Sequence, residues 1–252
     1  LTPSADVARI PNGRIGRVLR TQIQHPMQQK IAFIGAGNMA RAIVGGLVES
    51  GADPRNLCAT DALPEVAAGL ARDFGVGTAA GNVSALEGAE IVVLAVKPQQ
   101  MRAVAEEIHA AVAASRPLVL SIAAGITTDA LRRWLGADTA VIRSMPNTPA
   151  LIGKGTAALF AGPGVTPAQR KSAAAILGAV GAVHWVADET LLDAVTALSG
   201  SGPAYVFRVL ECLESAGSAL GLPKDLARAL ALETVAGAAA LASGSTEPAS
   251  VL

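Results

Sequence analysis

The chain has 252 residues, of which 51% are hydrophobic, 16% charged and 3% aromatic, and twenty basic side chains balance twenty acidic ones. The length allows one or two domains with a large core, the modest charge excludes a disordered polyelectrolyte, and zero net charge gives nucleic acid no electrostatic reason to bind. Cys58 and Cys212 lie far apart without metal-type spacing, which argues against a disulfide scaffold or zinc site and fits a reducing, cytoplasmic compartment; no apolar run reads as reaching the ~18 residues of a membrane span, so no membrane partner is expected.

Residues 1–26 carry Arg9, Arg14, Arg17 and Arg20 against the acid Asp6. Pro and Gly interrupt this segment and it has no apolar h-region, so it is not a secretory signal. An Arg-rich, acid-poor leader also suits an organelle transit peptide; the preferred reading takes Met27 as the natural start and 1–26 as upstream, unfolded sequence.

Residues 30–35 (KIAFIG) form a short apolar run ending in glycine, a buried strand by length and flanks. Residues 38–50 place Met39, Ile43, Leu47 and Val48 at helical spacing, and Gly51 stops them. Strands are predicted at 56–61, 91–96 (IVVLAV), 117–124 and 139–144, alternating with helices at 64–74, 100–114 and 128–135. Continuous apolar strands separated by helices predict an α/β fold, a Rossmann-type parallel sheet covered on both faces. Later strands are expected at 155–161 and 183–187, flanking a helix at 166–179. From Asp188 the strand signal ends, and 189–198, 202–220 and 223–243 are Ala- and Leu-rich helical stretches. The expected organisation is a dinucleotide-binding domain over 27–187 and a helical dimerisation and substrate domain over 188–252.

Gly35-Ala36-Gly37-Asn38-Met39-Ala40 is G-x-G-x-x-A between a predicted strand and a predicted helix. Gly35 suits the tight turn, Gly37 leaves room for a pyrophosphate at the helix N-terminus, and Ala40 permits close packing. Asp61, at the end of the next strand, either accepts hydrogen bonds from an adenosine ribose or caps the strand end, and no arginine occupies 62–64 to receive a 2′-phosphate. Cofactor preference between NAD and NADP therefore stays open. Ala95-Val96-Lys97-Pro98 closes a central strand, where open α/β sheets place their ligand crevice. Ala123-Ala124-Gly125 lets a flat ring approach backbone, and Met145-Pro146-Asn147-Thr148-Pro149 is a proline-stiffened loop with neutral hydrogen-bonding groups.

Neither a histidine nor a lysine is well placed as an acid–base group: His25 is in the leader, His109 lies in a helix, His184 lies in a late strand, and residues 189–220 contain no lysine. Alcohol oxidation needs such a group; an imine is basic enough to carry its own proton, so a neutral site favours imine reduction. Ser199-Gly200-Ser201-Gly202, just before a helix, is a candidate carboxylate cradle of exposed backbone N–H groups.

The segments FIGAGNMA (33–40), AVKPQ (95–99), SIAAGI (121–126), RSMPNTPAL (143–151), DAVTALSGSGPAY (193–205) and GLP (221–223), taken together, resemble pyrroline-5-carboxylate reductase, the last enzyme of proline synthesis. The resemblance spans roughly 27–252. It implies NAD(P)H-dependent reduction of 1-pyrroline-5-carboxylate to L-proline, with NADP or NAD as cofactor in its reduced form. It also implies cofactor contacts at Ile34, Gly35, Ala36, Gly37, Asn38, Met39, Thr60, Asp61, Asn82, Ala95, Val96, Lys97, Pro98, Ala123 and Ala124. Asn147 and Ser201 are expected beside the reacting groups, with Ser199, Gly200, Ser201 and Gly202 binding substrate. An intertwined homodimer, often assembled into a decamer, is implied too. The family continues with a Ser-Pro-Gly-Gly-Thr-Thr-like stretch that binds substrate, and the sequence stops a few residues short of it. Two other readings share the architecture: a β-hydroxyacid dehydrogenase, disfavoured by the missing lysine, and a non-catalytic dinucleotide-binding protein.

Overall fold

A computed structural model describes residues 28–251; the leader expected over 1–26 and the start at Met27 lie outside them. The described residues divide into two compact units, 28–207 and 208–251.

The first unit is built on one sheet of eight strands: β1 (Ile31–Ile34), β2 (Leu57–Thr60), β3 (Gly77–Thr78), β4 (Ile91–Leu94), β5 (Leu118–Ser121), β6 (Val141–Met145), β7 (Gly155–Ala161) and β8 (Gly181–Trp185), in the order β3-β2-β1-β4-β5-β6-β7-β8. Pairings from β3 through β6 are parallel. The helices are α1 (Asn38–Glu49), α2 (Pro64–Phe74), α3 (Asn82–Ala85), α4 (Pro98–Ser115), α5 (Thr128–Leu135), α6 (Pro167–Gly178), α7 (Leu191–Val195) and α8 (Gly202–Ala219), whose last part belongs to the second unit.

Strand alternation divides the core between the two faces of the sheet. Ile31, Phe33, Ile91, Val93, Leu118 and Leu120 face Ile43, Val44 and Leu47 of α1 and Ile176 and Leu177 of α6. Ala32, Ile34, Val92, Leu94 and Val119 face Met101, Ala105, Ile108 and Val112 of α4 and Leu131 and Leu135 of α5. Burial on both sides is why these strands read as unbroken apolar runs.

The expectation of a uniformly parallel sheet needs one correction, because β7 runs antiparallel to β6. Only a short 3₁₀ segment, Thr148–Ile152, lies between them. A parallel return needs a crossover of a dozen or more residues. The longer link through α6 brings β8 parallel to β7. Two small elements, β3 and α3, had no periodic signal at all, being two and four residues long.

The second unit contains the last part of α8 and α9 (Lys224–Gly244). Gly217 lets the two helices approach: a Cβ there would lie 3.1 Å from the Cβ of Ala227. Only Ala227 and Ala231 of α9 are buried. The reading that no apolar run is long enough for a membrane is corrected here. α9 has 21 residues and a stretch of mean hydropathy 1.3, long and apolar enough to cross a membrane by length and composition.

Candidate active site

In an open sheet of this order the ligand crevice lies beyond the carboxyl ends of the parallel strands, where the order reverses between β1 and β4. The loops after β1, β2, β4, β5 and β6 carry the residues singled out from the sequence, apart from Asn82 at the start of α3 and Ser199–Gly202 between α7 and the start of α8. The Gly35 N–H donates to the Thr60 carbonyl at 2.9 Å, and the Ala95 N–H donates to the Ile34 carbonyl at 2.8 Å. These bonds hold the first three loops in register with the sheet.

Gly35 turns with φ +96°, and a Cβ there would sit 2.6 Å from the Ala95 carbonyl oxygen, so both conformation and space demand glycine. Gly37, in extended conformation, precedes α1, and a Cβ on it would meet nothing within 4 Å. No side chain caps α1 and no acid lies in its first turn. Its first N–H groups and the positive end of its dipole therefore suit an anion supplied from outside. Ala40 is buried against the sheet. These residues fit a dinucleotide pyrophosphate.

Asp61 faces the same loop. Its Oδ2 accepts the Ala36 N–H at 2.8 Å, and its Oδ1 accepts the Leu63 N–H at 3.1 Å. The carboxylate thus clasps the glycine turn to the end of β2, a link that spacing alone did not disclose. Beside it, the buried Thr60 hydroxyl donates to Asn82 Oδ1 at 2.7 Å, and Asn82 Nδ2 donates to Glu107 Oε2 at 2.8 Å. Lys97 is exposed just before α4, with Pro98 in the first helical turn. Ala123 is buried, Ala124 is partly covered, and Gly125 has φ +76° with open space around its Cα. The minimal side chains after β5 leave the backbone accessible there.

Asn147 and the Ser199 region come together. Asn147 Nδ2 donates to the Ser199 carbonyl at 3.1 Å, and its Oδ1 accepts the Thr156 N–H of β7 at 2.9 Å. Both ends of the amide are occupied, so the side chain positions its neighbours. Thr196–Gly200 forms a π-helical turn, and the Ser201 N–H donates back to the Thr196 carbonyl at 2.8 Å. The Ser201 amide is thereby used within the turn. The Ser199 carbonyl is open to Asn147 because Pro203, four residues on, has no N–H to give it; a π turn is a local irregularity of the kind found at functional sites. A Cβ at Gly200 would lie 2.5 Å from Met145 Cε.

One cluster escaped the sequence reading. Arg143 of β6 is 4% exposed. It reaches Glu189 and Asp193, each at 3.2 Å. Glu189 also accepts the Thr128 N–H and the Thr128 hydroxyl, both at 2.8 Å. An arginine inside a predicted strand (VIRSM) was the available signal. Asp188 forms the turn before α7, where hydrogen bonds from the Thr190 N–H and then the Thr190 hydroxyl hold its carboxyl below the usual carboxylate range. His109 Nδ1 is bonded to the Trp134 carbonyl at 3.0 Å.

Residues 30–125 match the family model described as NADP oxidoreductase coenzyme F420-dependent, and residues 189–252 match that of pyrroline-5-carboxylate reductase dimerisation. The pyrroline-5-carboxylate reductase of Pseudomonas aeruginosa is 44% identical over 221 residues, covering 87% of this chain and 81% of that protein. Among solved structures, a pyrroline-5-carboxylate reductase from Coxiella burnetii is similar with TM-score 0.84 and 40% identity, over 88% of this chain and 83% of that one. The pyrroline carboxylate reductase of Plasmodium falciparum, solved with NADP bound, is similar with TM-score 0.79 and 28% identity, over 88% and 81% of the two chains.

Proposed function

The chain belongs to the pyrroline-5-carboxylate reductase family, and from that premise we propose how its own residues serve the reaction. The chain is an oxidoreductase that reduces 1-pyrroline-5-carboxylate to L-proline with NAD(P)H. A dinucleotide held there would supply the hydride for the imine carbon, with the C=N electron pair passing to the nitrogen, which keeps the proton it carries.

The residues act by binding and orientation. Gly35, Ala36, Gly37, Asn38 and Met39 hold the pyrophosphate at the start of α1, where no side chain competes for the N–H groups. Thr60, Asp61 and Asn82 shape the adenosine end. Ala95, Val96, Lys97 and Pro98 line the crevice after β4, and Ala123 and Ala124 leave room for the nicotinamide ring. Asn147 holds the Ser199–Gly202 segment at the carboxyl end of β6, and Ser201 and the neighbouring backbone meet the substrate. The observation that carries this assignment is the uncapped start of α1 beside the open space at Gly37. Oxidation of NADH and of NADPH by the full-length protein, with and without 1-pyrroline-5-carboxylate, tests it. Turnover that depends on the imine is expected. Reduction of NAD(P)+ by a 3-hydroxyacid, with no imine-dependent oxidation of NAD(P)H, would favour the β-hydroxyacid dehydrogenase reading.

The division at 187/188 is also part of the proposal: the last strand ends at Trp185, and the dimerisation family model begins at 189. The proposed assembly is a homodimer through α8 and α9, extended to a decamer, in the cytoplasm. Support for the dimer is the exposure of large apolar side chains, with Val209 52%, Leu220 86% and Leu241 52% exposed.

A further inference from the structure

Buried Arg143 and partly buried Glu189 form an ion pair whose contacts converge on three loops of the crevice. Arg143 lies two residues before Met145, in the strand that ends at the Asn147 loop. Thr128, held by Glu189 through both its N–H and its hydroxyl, begins α5 directly after the Ala123–Gly125 turn. Glu189 and Asp193 flank the start of α7, which runs into the π-helical turn bearing Ser199. The guanidinium side chain is 5% exposed and that of Glu189 is 18%, whereas Asp193 is 79% exposed. The Glu189 contact is therefore the one that solvent screens least.

A buried ion pair is a weak device for stability, since apolar residues of similar volume usually serve as well or better; its better-attested use is to specify one geometry. The bonds of this pair run to β6, α5 and α7, and none involves residues 35–39 or Asp61. We propose that Arg143 and Glu189 are positioning residues for hydride transfer: they set the Ala123–Ala124 backbone against the Ser199–Gly202 segment and leave the pyrophosphate site alone. The inference rests on the reading of the crevice given above. An arginine fork can reach two carboxylates at once, which a lysine ammonium does with far poorer geometry.

The test uses the full-length enzyme and three variants: Arg143→Lys, Glu189→Gln, and Arg143→Met combined with Glu189→Gln. The double variant removes both charges together and leaves an amide to hold Thr128. NAD(P)H affinity within about twofold of the parent is expected for all three, with kcat lowered about tenfold to a hundredfold, the range set by small misplacements of reacting groups. The deuterium isotope effect on kcat with 4-deuterated cofactor is expected to rise as hydride transfer becomes limiting. The double variant should melt close to the parent and stay slow. Recovery of kcat along with melting temperature, an unchanged isotope effect, or equal losses of cofactor affinity and kcat would overturn the proposal. So would failure of the double variant to fold, which would make the pair a requirement of the fold. A parent without imine-dependent turnover would instead overturn the reading of the site.

Discussion

At Gly37 a single missing Cβ decides whether an anion can reach the start of α1. Gly37→Val fills space that is open in the structure and should abolish detectable NAD(P)H binding by calorimetry while the circular dichroism spectrum and melting temperature stay near those of the parent; retained affinity would refute the loop assignment. Asp61 acts as the cap at the end of β2, one of the two parts its position suggests. Its two oxygens already hold the Ala36 and Leu63 amides, so Asp61→Ser should cost about 2 kcal/mol of stability through lost charge-assisted hydrogen bonds and weaken both cofactors. Removing the negative charge should penalise NADPH less than NADH, which competition binding would detect. Asp188 gives a pH test. Its folded-state pKa is lowered, chiefly by the Thr190 N–H and then the Thr190 hydroxyl, so its contribution is complete above the unfolded carboxylate value of about 3.9 and is lost as pH falls through the lower folded value. The difference in melting temperature between parent and Asp188→Asn should be present near neutrality and shrink toward the acid end of a pH series.

Among the elements, the π-helical turn between α7 and α8 does the most for the site. Pro203, four residues after Ser199, has no N–H to close an ordinary helical bond, so the Ser199 carbonyl at this turn is left to Asn147. Asn147→Ala removes that bond and the one to Thr156. A loss of about 1–3 kcal/mol is expected, read as a drop of several degrees in melting temperature, with a larger rise in the KM for the imine than in that for the cofactor. Equal effects on both KM values would place Asn147 outside the substrate region. Helical periodicity located α2 and α5 to the residue and α1, α4, α6, α7, α8 and α9 within a few, and missed the four-residue α3. It could not reveal the π turn, which depends on where one carbonyl finds its partner.

For the whole molecule, the exposed apolar side chains of α8 and α9 call for a second surface to cover them. Val209 and Leu213, four residues apart on α8, are 52% and 41% exposed. Val209→Asp with Leu213→Asp should turn the dimer proposed here into a monomer by sedimentation. Each side chain is worth about 1.5–3 kcal/mol when buried, so the dissociation constant should rise more than about a hundredfold. An unchanged sedimentation coefficient would remove α8 from the interface.

Much of this protein was legible in one dimension because its physics is local. A strand buried on both faces must be apolar throughout, as IAFI and IVVL are; a turn at φ +96° with a carbonyl where a Cβ would sit must be glycine, as at Gly35; and an alternating order of such strands and helices leads to a parallel sheet with its crevice at the strand ends. The motif order from Phe33 to Pro223 likewise pointed to the imine reductase family. What the tertiary structure decided were the pairings of distant polar groups and the direction of one strand. Asp61 finds Ala36 across 25 positions, Asn147 finds Ser199 across 52, and Arg143 finds Glu189 across 46. No periodicity encodes these meetings: a polar side chain in a buried setting takes whichever partner the fold brings within hydrogen-bond reach, and only the folded chain fixes which that is.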